Sequence, residues 1–596
     1  MTKKLFTLTL GLSGSALAAA LVLPVLAQES LLPEGFGNPP ETPAPRPTPA
    51  PTSPAAPKNG ASPPPVTPTV GTPDAPAPVA ADAETGEEDE AEEPGTLKYD
   101  LPPGARRLLT RIGPLTPETG GLAPDAFGVR GQYAAALMQR TNGQFASRWG
   151  HILLRRALVS AVDTPETING ADLAAARAAL LLRMGESIAA RWIVQSVDYD
   201  RATPRLVAAA QQTYLANADP AGLCPYVPAG LAHGDEHSWR LAAAICSGLT
   251  GEAGPAGWAI GRVRSSGKIA NFDVLLAERV LGATGSGRRS TTIEWDNVGR
   301  LTSWRFGMAT ATAVPIPEPL RAAASSDIKG WTVLAPMTDM ASRVAVAPDA
   351  AARGILSAEA YLSLLGAAAT EEEPSEAVAS RADQLRAAFA AADGAARYAA
   401  MEQLWGGDAG YAAIVSTARA AASLPLDTDV GDDPWQLMGS MLAGGYDNNA
   451  IDWVRSVNVG SRAWAVLAVG SPRALNGADA GTIGQFSGSD NSADGLRTKF
   501  LLAGLAGLGR IDSSAAASAA SDLGVDLGRQ TRWSRAIIAA AERREPGMVA
   551  LLAATGMQGD WNDVPPYHLY YIVRALRDVG LDAEARMIAA EALVRV

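Results

Sequence analysis

Between Pro566 and Asp578, apolar residues fall at Leu569, Ile572, Val573 and Leu576, the i, i+3, i+4, i+7 spacing of one helix face. The pattern restarts with Ala585, Ile588, Ala589, Ala592 and Val596. Between the two runs stands Gly580-Leu581-Asp582-Ala583-Glu584-Ala585. Gly580 suits the left-handed residue that ends a helix. Asp582 suits the capping side chain that starts the next. The expected unit is a hairpin of two helices, each with one apolar stripe. Neither stripe can be buried by the hairpin alone, so the unit needs neighbours.

Variants of this turn recur upstream: Gly185 with Ser187, Asn217 with Asp219, Gly248 with Thr250, and Gly282 with Thr284, at separations of 32, 31 and 34 residues. Gly445 with Asp447 repeats the last turn at its Gly, Asp and Ala positions. Gly354 with Ser357 and Gly509 with Asp512 are one residue longer, and Gly406 with Asp408 is a looser copy. A helix–turn–helix period of 31–34 residues predicts an all-α fold, an α-solenoid or superhelix of antiparallel helical hairpins. The pattern resembles tetratricopeptide-type helical repeats, most closely from Ala575-Leu576 through Glu591-Ala592-Leu593. The resemblance is generic and covers part of the array. It implies a superhelix whose concave face binds peptide or protein. An irregular Ala-rich helical bundle is the competing architecture.

Two stretches fit the period badly. Arg288 to Leu320 carries Trp295, Val298, Leu301 and Trp304 at helical spacing, then breaks at Val314-Pro315-Ile316-Pro317. Trp331-Thr332-Val333-Leu334 reads as extended. The expected division is therefore a first helical lobe over 98–325 and a second over 326–596. The 13 tryptophans, Trp149, Trp192, Trp239 and Trp258 among them, are spread along the array. That distribution favours core positions between helices over one aromatic ligand platform.

The N-terminus reads differently. A basic start, Met1 to Lys4, precedes an apolar run from Leu5 to Leu23, and Val25-Leu26-Ala27 gives modest side chains before Gln28. This is the pattern of a cleaved signal peptide over 1–27. A retained anchor is the alternative, because the run is near the lower limit for a membrane span. Residues 28–97 form a Pro- and Ala-rich linker with an acidic run, Asp82 to Glu93. Such a composition is expected to be disordered, since it cannot build a core. The expected location is periplasmic or secreted, with membrane contact only through an uncleaved signal.

An exported chain with only two cysteines, Cys224 and Cys246, is expected to join them. The repeat model puts both at one edge of the solenoid on adjacent elements, and no Cys-x-x-Cys suggests redox work.

Candidate chemistry is thin. Histidines 233 and 237 flank Gly234-Asp235-Glu236 and have the i, i+4 spacing of a metal pair. Gly234 argues against a shared helix face, and Asp235 reads better as a helix N-cap. Asp490-Asn491-Ser492-Ala493-Asp494-Gly495 resembles the first half of a calcium-binding loop, but Leu501 stands where the twelfth-position acid belongs. A capped loop is the better reading of Asp490 and Asp494. Asp427, Asp429, Asp432 and Asp433 read as a helix-entry loop before Trp435. Neither a Gly-x-Ser-x-Gly elbow nor a phosphate-binding Gly-x-x-x-x-Gly-Lys-[Ser/Thr] loop occurs. No cofactor is expected. The net charge of −12, without a basic stripe, speaks against nucleic acid. The expected function is a non-catalytic exported scaffold or adaptor binding envelope proteins or peptide segments. The alternative is an envelope enzyme or enzyme subunit acting on cell-wall glycan. Its analogy is to lytic transglycosylases, which carry an Ala-rich superhelix beside a catalytic domain that has no counterpart here. It would require two facing carboxylates, one with a raised pKa.

Overall fold

Alanine-rich runs bounded by left-handed residues and capping side chains become helices in the computed structural model, which describes residues 105–234, 236–284 and 291–596. The expected signal peptide and linker lie outside these residues, as does Asp235. The fold is all-α and built of helical repeats, with 28 α-helices among the described residues. In order they are α1 Gly131–Arg140, α2 Arg148–Val159, α3 Gly170–Met184, α4 Ser187–Gln195, α5 Pro204–Ala216, α6 Val227–His233, α7 Glu236–Leu249, α8 Ala253–Ser266 and α9 Asn271–Ala283. Next come α10 Ser303–Ala311, α11 Glu318–Ala322, α12 Ser326–Leu334, α13 Met340–Arg353, α14 Ala358–Ala368, α15 Glu376–Ala390, α16 Gly394–Trp405, α17 Tyr411–Ser416 and α18 Ala418–Ala422. The last ten are α19 Trp435–Ala443, α20 Asp447–Asp452, α21 Arg462–Gly470, α22 Ala480–Ser489, α23 Leu496–Leu508, α24 Ser513–Asp522, α25 Arg532–Glu542, α26 Pro546–Gly556, α27 Pro566–Asp578 and α28 Asp582–Arg595. One short antiparallel pair, β1 (Arg111–Ile112) with β2 (Val162–Asp163), ties the start of the array to the end of α2.

The turns explain the period and correct its details. Gly185, Gly445 and Gly580 are left-handed, with φ of 88°, 81° and 82°. In each case the next N–H bonds back to the carbonyl five residues earlier: Glu186 to Leu181, Tyr446 to Met441, Leu581 to Leu576. That residue is then itself the N-cap of the following helix. Ser187, Asp447 and Asp582 therefore fall one position late. They are first helical residues and make no capping bond, contrary to the expectation for Asp582. In the second turn the left-handed residue is Ala218 (φ 51°) and not Asn217. In the third it is Gly251 (φ 91°), while Gly248 lies inside α7. Gly248 is glycine for packing, because a Cβ there would lie 2.0 Å from Leu281 Cδ1. The left-handed positions 185, 218 and 251 thus step by 33 residues twice. Asp219 does cap as expected, accepting from Gly222 N at 3.0 Å. The longer turns also cap, with Ser357 accepting from Ala360 N and Asp512 from Ser514 N.

Two other readings change. Trp295, Val298 and Leu301 lie in the irregular segment before α10 and not in a helix, since Thr302 caps α10 by accepting from Arg305 N. Trp295 still packs, with its ring 4.8 Å from that of Phe272. Trp331 to Leu334 is the end of α12 and not extended chain.

The described residues belong to one compact unit. Across position 325 contact is direct: Trp331 of α12 donates its indole N–H to Leu182 O of α3 at 3.1 Å. The last helix does not sit at an open end. α28 packs against α2, α19, α21, α23 and α27. Every residue from Ala585 to Val594 is buried, including Arg586 and Glu591, so the expected single stripe becomes a helix covered on all sides. α2 in turn packs against α3, α4, α13, α26 and α28.

Buried polar groups sit at this junction. Glu591 accepts from Ser147 Oγ (2.6 Å), Arg148 N (2.7 Å), Trp149 N (3.1 Å) and Arg595 Nη1 (2.9 Å). It thereby satisfies the first N–H groups of α2, which no helix supplies with partners. His151 Nε2 and Arg155 Nη1 both meet Glu186 Oε1, at 2.8 and 2.7 Å. Burial pushes Glu186 upward, but Arg155 and His151 outweigh it and hold its carboxyl below the ordinary value.

Candidate binding groove

Three hollows meet around α5. The first, about 460 Å³, lies between α3 and α5 over Ala175, Ala176, Ala179, Ala208 and Ala209. Alanine makes it, because two adjacent helices with short side chains leave a trough that longer residues would fill. The second, about 420 Å³, is bounded by Ser303, Asp327 and Trp331. The third, about 460 Å³, runs past Gln211, Ser238, Lys268, Asp273 and Trp304. Gln212 lines all three, and Trp331 and Asp327 line both the first and the second.

The walls are fixed by internal bonds. Trp304 donates its indole N–H to Asp273 O at 3.1 Å, and Arg305 grips the Asp273 carboxylate at 2.7 and 3.3 Å. Asp172 at the outer end accepts from Thr203 Oγ1 (2.6 Å) and Arg205 Nη1 (3.2 Å). Arg183 donates to the carbonyls of Met138 and Thr141. Its burial lowers the guanidinium below its ordinary value, against the opposing pull of Asp327.

The floor offers amide chemistry. Gln211 uses its NH₂ on Ser238 Oγ at 3.0 Å, which leaves its carbonyl oxygen to accept. Gln212 accepts from Ser303 Oγ at 2.5 Å, which leaves its NH₂ to donate. Adjacent residues thus present one acceptor and one donor, the complement of a peptide group.

The residues singled out in the sequence lie elsewhere. Cys224 and Cys246 form a disulfide, with Cα atoms 5.6 Å apart. The repeat-turn residues stack the units on one another. Asn217 Nδ2 donates to Ser187 O at 2.8 Å, and Asp219 pairs with Arg191 at 2.7 Å. Asp447 and Asp582 meet on one arginine, Arg586, each at 2.8 Å. Thr250 donates back to Cys246 O and Ser247 O. His233 ends α6 while His237 lies in α7, so the two share no helix face. Asp490 accepts from Ser492 N, Thr498 N, Thr498 Oγ1 and Arg497 Nη1, and Asp494 pairs with Lys499. Burial pushes Asp490 up, but the bonds from Thr498 and Ser492 hold it below the usual range. Among the described residues, no group of three or more His, Cys, Asp or Glu is placed to hold a metal ion.

The buried carboxylates bear on the glycan reading. Glu186, Asp198, Glu278, Glu545 and Glu591 each carry an arginine partner. Of these, Glu186 is held below the ordinary carboxylate range by Arg155 and His151, which works against a general acid at that position.

The sequence reading missed the groove. Its signal, alanines at i, i+1 and i+4 on α3 facing an alanine pair on α5, resembles ordinary helix propensity until the two helices are placed together. Compared with known proteins, the chain matches no family model, no curated protein and no solved structure.

Proposed function

We propose that this protein is a non-catalytic helical-repeat scaffold of the cell envelope that binds protein or peptide segments in the groove beside α5. The observation that carries the reading is the run of three hollows joined at Gln212. Its alanine floor admits a main chain closely, and its amide side chains match the donors and acceptors of an extended segment. Charges of both signs at the rim, Arg205 and Lys268 with Asp172 and Asp327, suit a polypeptide better than a uniformly anionic ligand. The disulfide fits an oxidising compartment, in line with the export signal expected at the N-terminus.

The test is photo-crosslinking in the cell, with a benzophenone amino acid at Ala208 in the groove and at the exposed Trp258 as control. Discrete envelope proteins captured at Ala208 and not at Trp258, with yield reduced by Gln212→Ala, support the reading. Glycan fragments captured at Ala208 without any protein overturn it in favour of the cell-wall alternative.

A further inference from the structure

A fourth hollow, remote in sequence from the groove, lies among α23, α24 and α27 and measures about 690 Å³, within the range of small-molecule sites. Its origin is the composition of α24, Ser-Ser-Ala-Ala-Ala-Ser-Ala-Ala-Ser-Asp, in which only Ala519 is fully buried. No long side chain of α24 fills the space towards α27. The walls are mostly apolar, formed by Ala506, Ile511, Ala516, Ala520, Val525 and Leu527, with Ser513 and Ser521 also in the lining. The 525–530 loop closes one side and is pinned there, since Tyr571 Oη donates to Gly528 O at 3.1 Å and accepts from Gln530 Nε2 at 3.0 Å.

One side of the hollow is cationic. Arg574 and Arg577 line it, one turn apart on α27, with Tyr570 beside them. Both guanidiniums lean on a single carboxylate, Asp578, at 3.7 and 2.9 Å. Arg574 spends Nη1 on Tyr570 Oη, and Arg577 spends Nε and Nη2 on Asp578. Arg574 Nη2 and Arg577 Nη1 remain to donate, the latter lying over Gly509, 2.8 Å from where a Cβ would stand. The carboxylate in the lining, Asp526, accepts from Gly528 N and shapes the loop.

We infer that this hollow binds a free single-chain carboxylate amphiphile, its acyl chain against the alanine wall and its head on Arg574 and Arg577. Apolar walls hold the chain by burial. Two arginines with unused N–H groups side by side suit a planar carboxylate. This inference is independent of the peptide groove.

Isothermal titration of the exported chain with dodecanoate, and with uncharged dodecanol of the same chain length, tests it. The expected result is one saturable dodecanoate site, at least tenfold tighter than dodecanol. The double variant Arg574→Gln/Arg577→Gln brings dodecanoate down to the dodecanol level. Ala520→Phe fills the hollow and abolishes both. Ala517→Phe, at a more exposed position of the same wall, does the same should Ala520→Phe fail to fold. The inference is overturned if dodecanoate does not saturate one site, if acid and alcohol bind alike, or if both filled variants still bind. Sedimentation with anionic phospholipid vesicles in the absence of dodecanoate binding also overturns it, and assigns the arginines to a bilayer headgroup instead.

Discussion

Replacing Glu591 by alanine tests whether the array is held closed from end to end. Its side chain is 1% exposed and joins α28 to the start of α2, across 444 residues of sequence to Ser147. Glu591→Ala removes the shared acceptor of a hydroxyl, two backbone N–H groups and one guanidinium. The hydroxyl can rotate, and Arg595 keeps its bond to Ala146 O at 2.7 Å. The two N–H groups of Arg148 and Trp149 cannot turn away, and each orphaned donor costs about 1–3 kcal/mol. Breaking a buried ion pair from one side costs about 3–5 kcal/mol as a whole, and these figures overlap, so about 3–5 kcal/mol is expected. Glu591→Gln keeps one acceptor oxygen and should cost less. The assay is urea unfolding followed by far-UV circular dichroism and tryptophan fluorescence. Ser147→Ala added to Glu591→Ala should cost less than Ser147→Ala alone, because the two share one network, the remainder being the cap bond from Gly150 N to Ser147 Oγ. A Glu591→Ala protein within about 1 kcal/mol of the parent, near the ordinary cost of a point mutation, would refute the reasoning.

Three further outcomes are expected. Reducing Cys224–Cys246, which closes a separation of 22 residues, should cost about 3 kcal/mol on the chain-entropy account, read as a lower melting temperature in reductant and no change for a Cys224→Ser/Cys246→Ser protein. Gly580→Ala should cost only the left-handed strain, about 1–2 kcal/mol, because no atom lies within 4 Å of its Cβ position. Gly185→Ala should cost more, since its Cβ would meet Ile355 Cδ1 at 2.9 Å and Gly330 Cα at 3.1 Å; equal melting temperatures for the two would contradict this. Burial lowers His151 from its ordinary 6.5 despite the Glu186 bond, so the unfolded chain binds the proton more readily and stability falls as pH drops below 6.5. His568 is lowered by burial in the same direction. His151→Gln should therefore flatten only part of the acid slope, by at most about 1.4 kcal/mol per pH unit, and an unchanged profile would sink the assignment.

The helices and their period were legible because they rest on local rules. Alanine content, a left-handed residue after each helix and a polar residue nearby are written in adjacent positions. The turn details were less legible, because the closing bond from Glu186 to Leu181 makes the residue after glycine the cap and moves Ser187 into the helix. Capping side chains appear where the N-cap position itself is polar, at Asp219 directly after left-handed Ala218 and at Ser357 and Asp512 in the longer turns. Gly248 was misplaced for a different reason: its missing side chain serves Leu281, 33 residues away, and nothing local records that. The groove was hidden for the same cause. Gln212, Ser303 and Trp331 come together only when α5, α10 and α12 are packed.

The helical period alone does not explain why Arg586 and Glu591 are buried in the final helix. In an open solenoid each unit leans on its neighbours, and a terminal helix keeps one polar face in water. Here α28 is also covered by α2, and its residues from Ala585 to Val594 are all buried. Glu591 is buried because it supplies the acceptors that the start of α2 lacks. Arg586 is buried because Asp447, Asp582 and the Gly470 carbonyl converge on it. Arg586 thus ties α28 to α20 and to the end of α21, while the Glu591 bonds to Ser147, Arg148 and Trp149 do not survive if α2 parts from α28. α2 cannot loosen from α28 without depriving Glu591 of three of its donors. The groove beside α5 is thus mounted on a frame tied together by the Glu591 contacts, which suits the peptide-binding role proposed for it.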